Sequence, residues 1–249
     1  MRKSLVAANW KMLGRFADIA PYMAQLRLSD RADVVLFPSA LHLQAAVLAA
    51  PDGLKCGVQD VGTSHGGAHT GEISADMVVE MGGSWCIVGH SERRIDQGET
   101  DDLVATKASA ALKSGLLPIV CVGETLAERE AGHAETTVHR QLAAVLDRVD
   151  RSALSRIVVG YEPVWAIGTG ESASADQAQE MHGFIRSQLD AMDPVAARLI
   201  RIVYGGSVTP DNASELFAQD DIDGGLVGGA SLDARAFSAI VDAVPVGVA

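Results

Sequence analysis

Eight short, uninterrupted runs of apolar residues recur along the 249-residue chain, each followed by glycine, proline, serine or asparagine and then by a longer amphipathic stretch. Runs that are apolar at every position are typical of parallel strands covered on both faces. A strand followed by a helix about eight times is the pattern of a (β/α)8 barrel, which commonly contains about 250 residues. The sequence therefore predicts this α/β fold, with residues 1–249 as a single domain.

The strands are predicted from the apolar runs themselves. They cover residues 5–8, 34–37, 54–58, 85–88, 117–122, 157–160, 200–204 and 225–227. Between the first two, Asp18 is a predicted helix N-cap. Apolar residues recur there at helical spacing, at Phe16, Ile19, Met23 and Leu26. The same pattern returns at Leu103, Ala110 and Leu112, and again at Val138, Leu142, Val145 and Leu146.

An open, doubly wound sheet is the alternative architecture, because it also alternates strands with helices. Its usual nucleotide-binding signatures are missing, since the sequence has no G-x-G-x-x-G after the first strand and no G-x-x-x-x-G-K-[ST]. The sequence shows no linker, charge run or low-complexity segment, and its two most glycine-rich stretches lie at predicted strand ends. Their position suits ligand binding better than flexibility between domains.

The charge balance disfavours one class of partner. Twenty lysine and arginine residues stand against 32 aspartate and glutamate residues, a formal net charge of −12. Nucleic-acid-binding domains offset phosphate charge with clustered lysine and arginine, so no nucleic-acid partner is expected. The apolar fraction of 48% and the charged fraction of 21% are those of an ordinary globular protein with a large core.

The cysteines and the N-terminus bear on the cellular compartment. Cys56, Cys86 and Cys121 are odd in number and widely spaced, which argues against a disulfide framework and a zinc site. The apolar run after Met1 is interrupted at Asn9, too early for a signal peptide. No apolar run approaches the ~18 residues that a membrane span needs. We expect a cytoplasmic protein in a reducing compartment, with no membrane partner.

Four polar residues closely follow predicted strands. Asn9 and Lys11 come after the first strand, His90 after the fourth and Glu162 after the sixth. In a barrel, the carboxyl ends of the strands and the loops after them form the catalytic face. A carboxylate, an imidazole and an ammonium would therefore meet at one rim. Taken singly, each also has an ordinary explanation, as a solvated lysine, a structural histidine or a glutamate that ends a strand.

This combination of groups suits proton transfer at carbon. A carboxylate can remove a proton next to a carbonyl when the enolate oxygen is stabilised, and imidazole and ammonium are suitable stabilisers. No metal is needed for this chemistry. His65 and His69 are four residues apart, but their glycine-rich surroundings disfavour the helix that would align them as metal ligands. No cofactor is expected.

The segment after Glu162 has a stiff apolar beginning and a glycine-rich end, which is typical of a closing lid. It comprises Pro163, Val164, Trp165, Ala166, Ile167, Gly168, Thr169 and Gly170. Glycine pairs follow the seventh and eighth strands, at Gly205-Gly206 before Ser207 and at Gly228-Gly229. Barrels often bind phosphate in these two loops, where backbone N–H groups and a following helix start favour an anion. An ordinary connection and two tight turns are the alternatives.

Six short motifs carry a family resemblance. They are residues 9–12 (NWKM), 89–94 (GHSERR), 121–124 (CVGE), 161–170 (YEPVWAIGTG), 204–208 (YGGSV) and 226–232 (LVGGASL). Together they resemble the triosephosphate isomerase family over essentially the whole chain. The resemblance implies a TIM barrel and the interconversion of dihydroxyacetone phosphate and D-glyceraldehyde 3-phosphate through an enediolate, a step of glycolysis and gluconeogenesis.

The resemblance also implies the roles of the site residues, which are those already established for the family. Glu162 would carry the proton between C1 and C2, and a neutral His90 would polarise the carbonyl oxygens. Lys11 would lie close to the substrate oxygens and phosphate, supported by Glu92. Asn9 would donate a hydrogen bond to the oxyanion. Phosphate binding is implied for Gly168, Ser207, Gly228 and Gly229. Tyr204 and Ser207 would latch the closed lid.

The family is typically dimeric, so a homodimer is implied. The loop after the third strand, which begins at Asp60 and ends at Ser74, would insert beside the neighbour's active site, with Thr70 reaching across. His69 stands where the family usually has phenylalanine, and Leu13 replaces a common asparagine. Both departures bear on dimer affinity, and a charged His69 would weaken the dimer at low pH.

Two other functions fit part of the pattern. A Schiff-base aldolase acting on a sugar phosphate would need a reactive lysine at a strand end, where the sixth strand offers Glu162. A non-catalytic phosphate sensor or scaffold would keep the glycine pairs but would have no need of Glu162, Lys11 and His90 together. The sequence favours a cofactor-free isomerase of triose phosphates.

Overall fold

The computed structural model describes residues 2–167 and 173–246. Within them, eight parallel strands pair in chain order and close into a barrel where β8 pairs with β1. The strands are β1 (Ser4–Asn9), β2 (Ala32–Phe37), β3 (Leu54–Val58), β4 (Trp85–Val88), β5 (Leu117–Val122), β6 (Val158–Tyr161), β7 (Arg201–Tyr204) and β8 (Gly224–Val227). The predicted (β/α)8 barrel is confirmed.

Helices connect the strands and cover the outside of the barrel. The α-helices are α1 (Ile19–Gln25), α2 (Leu43–Ala49), α3 (Ala75–Glu80), α4 (Ser91–Asp96), α5 (Asp101–Lys113), α6 (Leu126–Glu130), α7 (Ala134–Arg148), α8 (Ala175–Met192), α9 (Pro194–Ala197), α10 (Ala213–Phe217) and α11 (Ala234–Asp242). Short 3-10 helices lie at Phe16–Asp18, Ala40–His42, Arg151–Arg156, Val164–Ala166 and Gly229–Leu232. In the described part of the chain, no helix is both long and apolar enough to cross a membrane.

Alternate residues of the strands belong to two apolar layers, except in β3, which contributes only to the outer one. Leu5 and Ala7 of β1 join an inner cluster made of strand residues from around the barrel. Val6 and Ala8 of the same strand belong to the outer cluster, which also contains the buried faces of the helices. Because both faces of a strand are covered, side chains at successive positions are all apolar. The continuous apolar runs of the sequence follow directly from this packing.

The barrel closes at a glycine. Gly224 pairs with Leu5 at the start of the β8–β1 ladder, and its φ is 128°. A Cβ at this position would lie 2.0 Å from the carbonyl oxygen of Leu5. Only a residue without a side chain allows the two backbones to approach this closely.

Several strand bounds agree with the prediction. The third, fourth and fifth strands cover the predicted residues, 54–58, 85–88 and 117–122. The sixth is displaced by one residue, to Val158–Tyr161, because Ile157 is the C-cap of the preceding 3-10 helix. Local hydrogen bonding, rather than apolar character, decides where this strand begins.

Asp18 is the N-cap residue of α1, as predicted, but its side chain makes no capping hydrogen bond. Its Oδ2 atom accepts hydrogen bonds from the backbone N–H and the guanidinium of Arg15. Because Arg15 binds the carboxylate, Asp18 does not accept from the N–H groups of the helix. Phe16 and Leu26 fall outside α1, which ends at Gln25.

Candidate active site

A cavity of about 390 Å³ lies at the carboxyl ends of β1, β4, β6, β7 and β8. Parallel strands of a barrel all end at the same rim, so residues distant in sequence meet there. The cavity is lined by eight of the site residues predicted from the sequence: Asn9, Lys11, His90, Glu162, Ile167, Ser207, Gly228 and Gly229.

The chain turns sharply after β1, at Lys11. The φ of Lys11 is 52°, in the left-handed region that disfavours residues with a side chain. Two side chains hold this turn: Asn9 Oδ1 accepts from the Lys11 N–H at 2.9 Å, and Gln59 Nε2 donates to the Lys11 carbonyl at 2.7 Å. Such strain persists where the surroundings enforce it and is typical of functional sites.

The Lys11 side chain lines the cavity and pairs with Glu92. Its Nζ atom lies 2.6 Å from Oε1 of Glu92, and both side chains are partly exposed. A Cβ on Gly228 would lie 3.4 Å from Lys11 Cε, so the lysine packs against the turn after β8. The ammonium is therefore held between the start of α4 and that turn.

Glu162 provides the carboxylate of the cavity and is 1% exposed. Its backbone N–H donates to the Val122 carbonyl at 2.8 Å, which continues the β5–β6 ladder by one residue. Oε2 accepts from the backbone N–H of Ser91 at 2.8 Å, and Oε1 lies 2.9 Å from Nε2 of His90. Both oxygens therefore face the N-terminus of α4, where backbone N–H groups favour a negative charge.

Glu162 and His90 shift each other's ionisation. Burial raises the pKa of Glu162, but His90, the Ser91 N–H and Lys11 together outweigh it and leave that pKa below its usual range. Burial lowers the pKa of His90, and the adjacent Glu162 carboxylate reverses this, so the pKa of His90 is raised. The carboxylate is consequently ionised at neutral pH in this arrangement.

The backbone of α4 selects the tautomer of His90. The Glu92 N–H donates to Nδ1 of His90 at 3.3 Å. A ring nitrogen that accepts a hydrogen bond carries no proton, so the neutral ring bears its proton on Nε2. His90 is thus arranged to donate from Nε2, the nitrogen beside Glu162.

Unused backbone donors surround the cavity near β7 and β8. Within residues 2–167 and 173–246, the N–H groups of Ser207, Gly228 and Gly229 donate no hydrogen bond to the protein. Clustered N–H groups of this kind form concave anion sites. A Cβ on Gly206 would lie 2.2 Å from Oη of Tyr204, so glycine is required for the close turn before Ser207.

The two glycine turns continue differently. A 3-10 helix begins at Gly229, directly in the turn after β8. After β7, by contrast, the helix that follows the glycine pair, α10, begins only at Ala213, and a loop separates the two. Asn212 organises that loop instead, because Oδ1 accepts from the Thr209 N–H and Nδ2 donates to the Ser207 carbonyl.

The predicted lid is described as far as Ile167, which lines the cavity, whereas Gly168, Thr169 and Gly170 lie outside the described residues. Pro163 is the N-cap of the 3-10 helix Val164–Ala166. Burial raises the pKa of Tyr204, the predicted latch residue, to about 12.

Glu124 anchors the first turn of the lid. Its side chain is fully buried, and Oε1 accepts from Trp165 Nε1 at 3.0 Å and from the Tyr161 hydroxyl at 3.1 Å. The Arg129 guanidinium lies 3.2 Å from the same oxygen, and its carbon is 5.1 Å from the centroid of the Trp165 ring. One carboxylate therefore joins β6, the lid and α6.

Three contributors to the site were not among the predicted site residues: Gln59, Ser91 and Glu124. Gln59 follows β3 directly and Glu124 follows β5 by two residues. The rule that selected Asn9, polar residues just past a strand, therefore applied to both. Ser91 acts through its backbone N–H, which no side-chain pattern reveals.

The predicted dimer loop is separate from the cavity of its own chain. Thr70 and His69 are exposed, and neither lines the cavity. His65 Nδ1 lies 3.0 Å from Oδ2 of Asp76. Among the described residues, no group of three or more His, Cys, Asp or Glu could hold a metal ion.

Fold and site together define a barrel enzyme whose cavity joins a carboxylate, an imidazole and an ammonium to an anion-binding turn. A family model described as triosephosphate isomerase matches residues 4–244. The triosephosphate isomerase of Cupriavidus necator is 50% identical over 245 residues, which cover 98% of this chain and 100% of that relative. Those of Azoarcus sp. and Alcanivorax borkumensis are 51% and 50% identical, over 96% and 97% of this chain and 98% of each relative. The chain belongs to the triosephosphate isomerase family and is an isomerase.

Proposed function

We propose that this isomerase interconverts dihydroxyacetone phosphate and D-glyceraldehyde 3-phosphate through an enediolate. The proposal rests on the convergence of Glu162, His90 and Lys11 in one cavity with the unused N–H groups near β7 and β8. The first three groups suit proton transfer next to a carbonyl, and the N–H groups suit a phosphate. Family membership supports a triose phosphate as the substrate.

Glu162 is the base that carries the proton between C1 and C2. Its lowered pKa keeps it ionised at neutral pH. Both of its oxygens contact the start of α4, so the carboxylate has to turn towards the substrate carbon. A Cβ on Gly205 would lie 2.9 Å from Cγ of Glu162, so the absence of a side chain there leaves room for this movement.

His90 polarises the substrate oxygens as a neutral imidazole, the role that the family is known for. While Glu162 lies beside it, the carboxylate raises the pKa of His90. Once the carboxylate turns away, burial, Lys11 and the Glu92 N–H at Nδ1 favour the neutral ring, against the opposing effect of the Glu92 carboxylate. Nε2–H then donates to the oxyanion, with Lys11 and Asn9 as the other stabilising groups.

Backbone donors hold most of the phosphate. Ser207, Gly228 and Gly229 have N–H groups without a partner in the described residues, and Lys11 is the nearby cation. Gly168, which lies outside the described residues, is proposed as a further donor. Fixed N–H dipoles bind a dianion without adding positive charge, which reconciles phosphate binding with a net charge of −12.

The segment from Pro163 to Gly170 closes over the bound substrate, and Tyr204 with Ser207 latches it. Closing excludes water from the enediolate, which can otherwise eliminate its phosphate and give methylglyoxal. We propose that the reaction requires no metal or organic cofactor and that the protein serves glycolysis and gluconeogenesis in the cytoplasm. Residues 1–249 form one domain in this proposal.

The direct test follows the carbon-bound hydrogen of the substrate in deuterated water. We expect deuterium to enter during turnover, because Glu162 exchanges its proton with solvent.

Glu162→Asp withdraws the carboxylate by about one methylene, and a misplacement of ~1 Å lowers rates about 10²-fold. We expect kcat to fall by about that factor, with little change in phosphate affinity.

Glu180→Asp, an exposed position on α8, is the matched control and should leave kcat unchanged. Undiminished turnover by Glu162→Asp would assign the base to another residue. Absence of turnover in the folded parent protein would refute the proposed activity.

We also propose a homodimer in which Thr70 and the loop that begins at Asp60 and ends at Ser74 contact a second copy. Large exposed apolar side chains support this, because nine of the fourteen in the described residues lie between positions 12 and 81. They are Met12, Leu13, Phe16, Leu41, Leu48, Ile73, Met77, Val79 and Met81. They lie in the segments after β1, β2 and β3, which are neighbours around the barrel, and clustered exposed apolar surface is typical of a protein interface.

Sedimentation velocity over a dilution series tests the dimer. We expect twice the chain mass at micromolar concentration, and a shift towards monomer for Met77→Glu, because a charge would be buried in the interface. Val195→Glu introduces the same charge at an exposed apolar position outside this segment and should sediment like the parent. A fully active monomer at every concentration would contradict the proposal.

A further inference from the structure

Gln141, a buried residue of α7, forms a two-point contact with the loop after β5. Its Oε1 accepts from the Gly123 N–H at 2.7 Å, and its Nε2 donates to the Gly123 carbonyl at 3.0 Å. The side chain is 6% exposed. We propose that Gln141 is a positioning residue that fixes the backbone of Glu162 through Gly123. The proposal rests on the role of Glu162 as the base.

The need for this contact comes from the shape of the barrel rim. β4 ends at Val88, which pairs with Val120, whereas β5 continues to Val122 and its loop beyond. On the side of β4, the backbone groups past Val120 therefore lack a neighbouring strand. The Arg94 guanidinium donates to the carbonyl of Cys121, and the Gln141 amide binds both polar groups of Gly123. A primary amide offers the same donor and acceptor as a strand backbone.

The opposite side of the same segment carries the base. Val122 and Glu124, the neighbours of Gly123, accept hydrogen bonds from the N–H groups of Glu162 and Val164 at 2.8 Å and 3.1 Å. A Cβ on Gly123 would lie only 1.7 Å from the carbonyl oxygen of Glu162, so the two backbones are in close contact. A displacement of Gly123 is consequently transmitted to Glu162.

Open space adjoins this contact. A cavity of about 510 Å³ is lined by Gly123, Gln141 and Glu162, together with Ser91 at the start of α4. Packing alone therefore does not fill this side of the segment. The Gln141 amide, with its two hydrogen bonds, sets the orientation of the Gly123 peptide there.

The test compares kcat, KM and phosphate binding in Gln141→Met and Gln141→Glu. Methionine keeps the approximate length of the side chain and removes both hydrogen bonds, and we expect kcat to fall about 10- to 100-fold through misplacement of the base. KM and the Kd of inorganic phosphate should stay within about twofold of the parent, because the N–H groups proposed to bind phosphate lie in the loops after β7 and β8. Glutamate keeps the acceptor for the Gly123 N–H but places a carboxylate oxygen, which cannot donate, against the Gly123 carbonyl, so its kcat should also fall below that of the parent.

Gln179 provides a matched control on α8. Its amide also makes two hydrogen bonds, from Nε2 to Asp221 Oδ2 and from the Asp221 N–H to Oε1, on a loop that does not line the active-site cavity. Gln179→Met should lower stability as Gln141→Met does, but leave kcat of the folded protein unchanged. Equal kcat values for both methionine variants would overturn the positioning role.

The outcome for Glu162→Asp separates the two proposals. Loss of turnover in Glu162→Asp with full kcat in both Gln141 variants would overturn the positioning role alone. Full turnover in Glu162→Asp would overturn the role of the base itself. If Gln141→Met does not fold, the comparison of Gln141→Glu with Gln179→Glu decides, and an equal kcat in that pair counts against the proposal.

Discussion

Lys11 combines two properties that conflict at the level of a single residue. Its side chain lines the candidate active-site cavity, but its φ of 52° suits glycine. Asn9 and Gln59 hold the turn through its backbone, so the strained conformation is maintained by neighbours rather than by the residue itself. A lysine at this position indicates that its charge matters more than local stability.

Replacing Lys11 separates strain from charge. We expect the free energy of unfolding of Lys11→Gly to exceed that of Lys11→Ala by about 0.5–1 kcal/mol. Glycine relieves the backbone strain of the left-handed turn, and its larger entropy in the unfolded chain offsets part of this gain. Both variants should lose most of kcat/KM, because neither has the ammonium. Urea unfolding at a fixed protein concentration measures the difference. Equal stability of the two variants would show that the turn carries no strain.

At the level of the element, β8 has a demanding position in the barrel. It pairs with β1 through residues 224–227 and leads directly to the turn at Gly228. Its first residue approaches the Leu5 carbonyl too closely for any side chain. The same strand therefore closes the barrel and sets the position of the proposed phosphate donors.

Gly224→Ala should be far more damaging than other substitutions of glycines with positive φ. Gly115 has a φ of 94°, and a Cβ added there would meet no atom within 4 Å, so Gly115→Ala tests backbone strain alone. We expect Gly224→Ala to lower the free energy of unfolding by at least about 2 kcal/mol more than Gly115→Ala does, because the new methyl displaces β8 from β1. Urea unfolding of both variants measures this difference, and similar losses would contradict the steric explanation.

For the molecule as a whole, a buried group of charges joins the loop after β3 to the helices beside the active site. Lys107 of α5, 4% exposed, lies 2.6 Å from Asp60 and 2.5 Å from Glu99. Arg93 of α4 also contacts both carboxylates. Burial raises the pKa of Asp60 to about 6, despite the two cations. Lys107 and Arg93 outweigh burial at Glu99 and lower its pKa.

Asp60 should make stability depend on pH between about 4 and 6. A folded-state pKa above the ordinary 3.8 means that its contribution is fully present below pH 4 and is lost as the pH rises through 6. In Asp60→Asn the side chain does not titrate, so this pH-dependent loss of stability is absent. We expect its free energy of unfolding, relative to the parent, to rise by about 1–3 kcal/mol from pH 4 to pH 7.

Asp33 is the control of opposite sign. Burial raises its pKa, but Lys3 and Arg201 outweigh burial and lower it, so its contribution is present above the ordinary pKa and is lost as the pH falls. Asp33→Asn should therefore become less stable relative to the parent as the pH rises from 2 to 5. Urea unfolding at a series of pH values measures both trends. A flat difference for Asp60→Asn would exclude its titration in this range.

The order of the elements and the position of the site could be predicted from the sequence. Strands buried on both faces require continuous apolar runs, and the barrel places polar residues just past the strands at one rim. Asn9, Lys11, His90 and Glu162 were identifiable for that reason. The start of β6 and the missing side-chain cap at Asp18 could not be predicted in this way. Ile157 donates its N–H to Leu154 and Arg15 donates to Asp18, and these local hydrogen bonds override the general preferences for strand and cap.

The sequence by itself determined the fold, the family and the set of chemical groups at the rim, because these depend on periodicity and on residue type near strand ends. Only the tertiary structure decided the left-handed turn at Lys11, the placement of Glu162 between Ser91 and His90, and the hold of Gln141 on Gly123. These features depend on contacts between residues 48, 71 and 18 positions apart in the chain: Gln59 with Lys11, Ser91 with Glu162, and Gln141 with Gly123. Such contacts arise from the geometry of the closed barrel, which no local pattern of residues encodes.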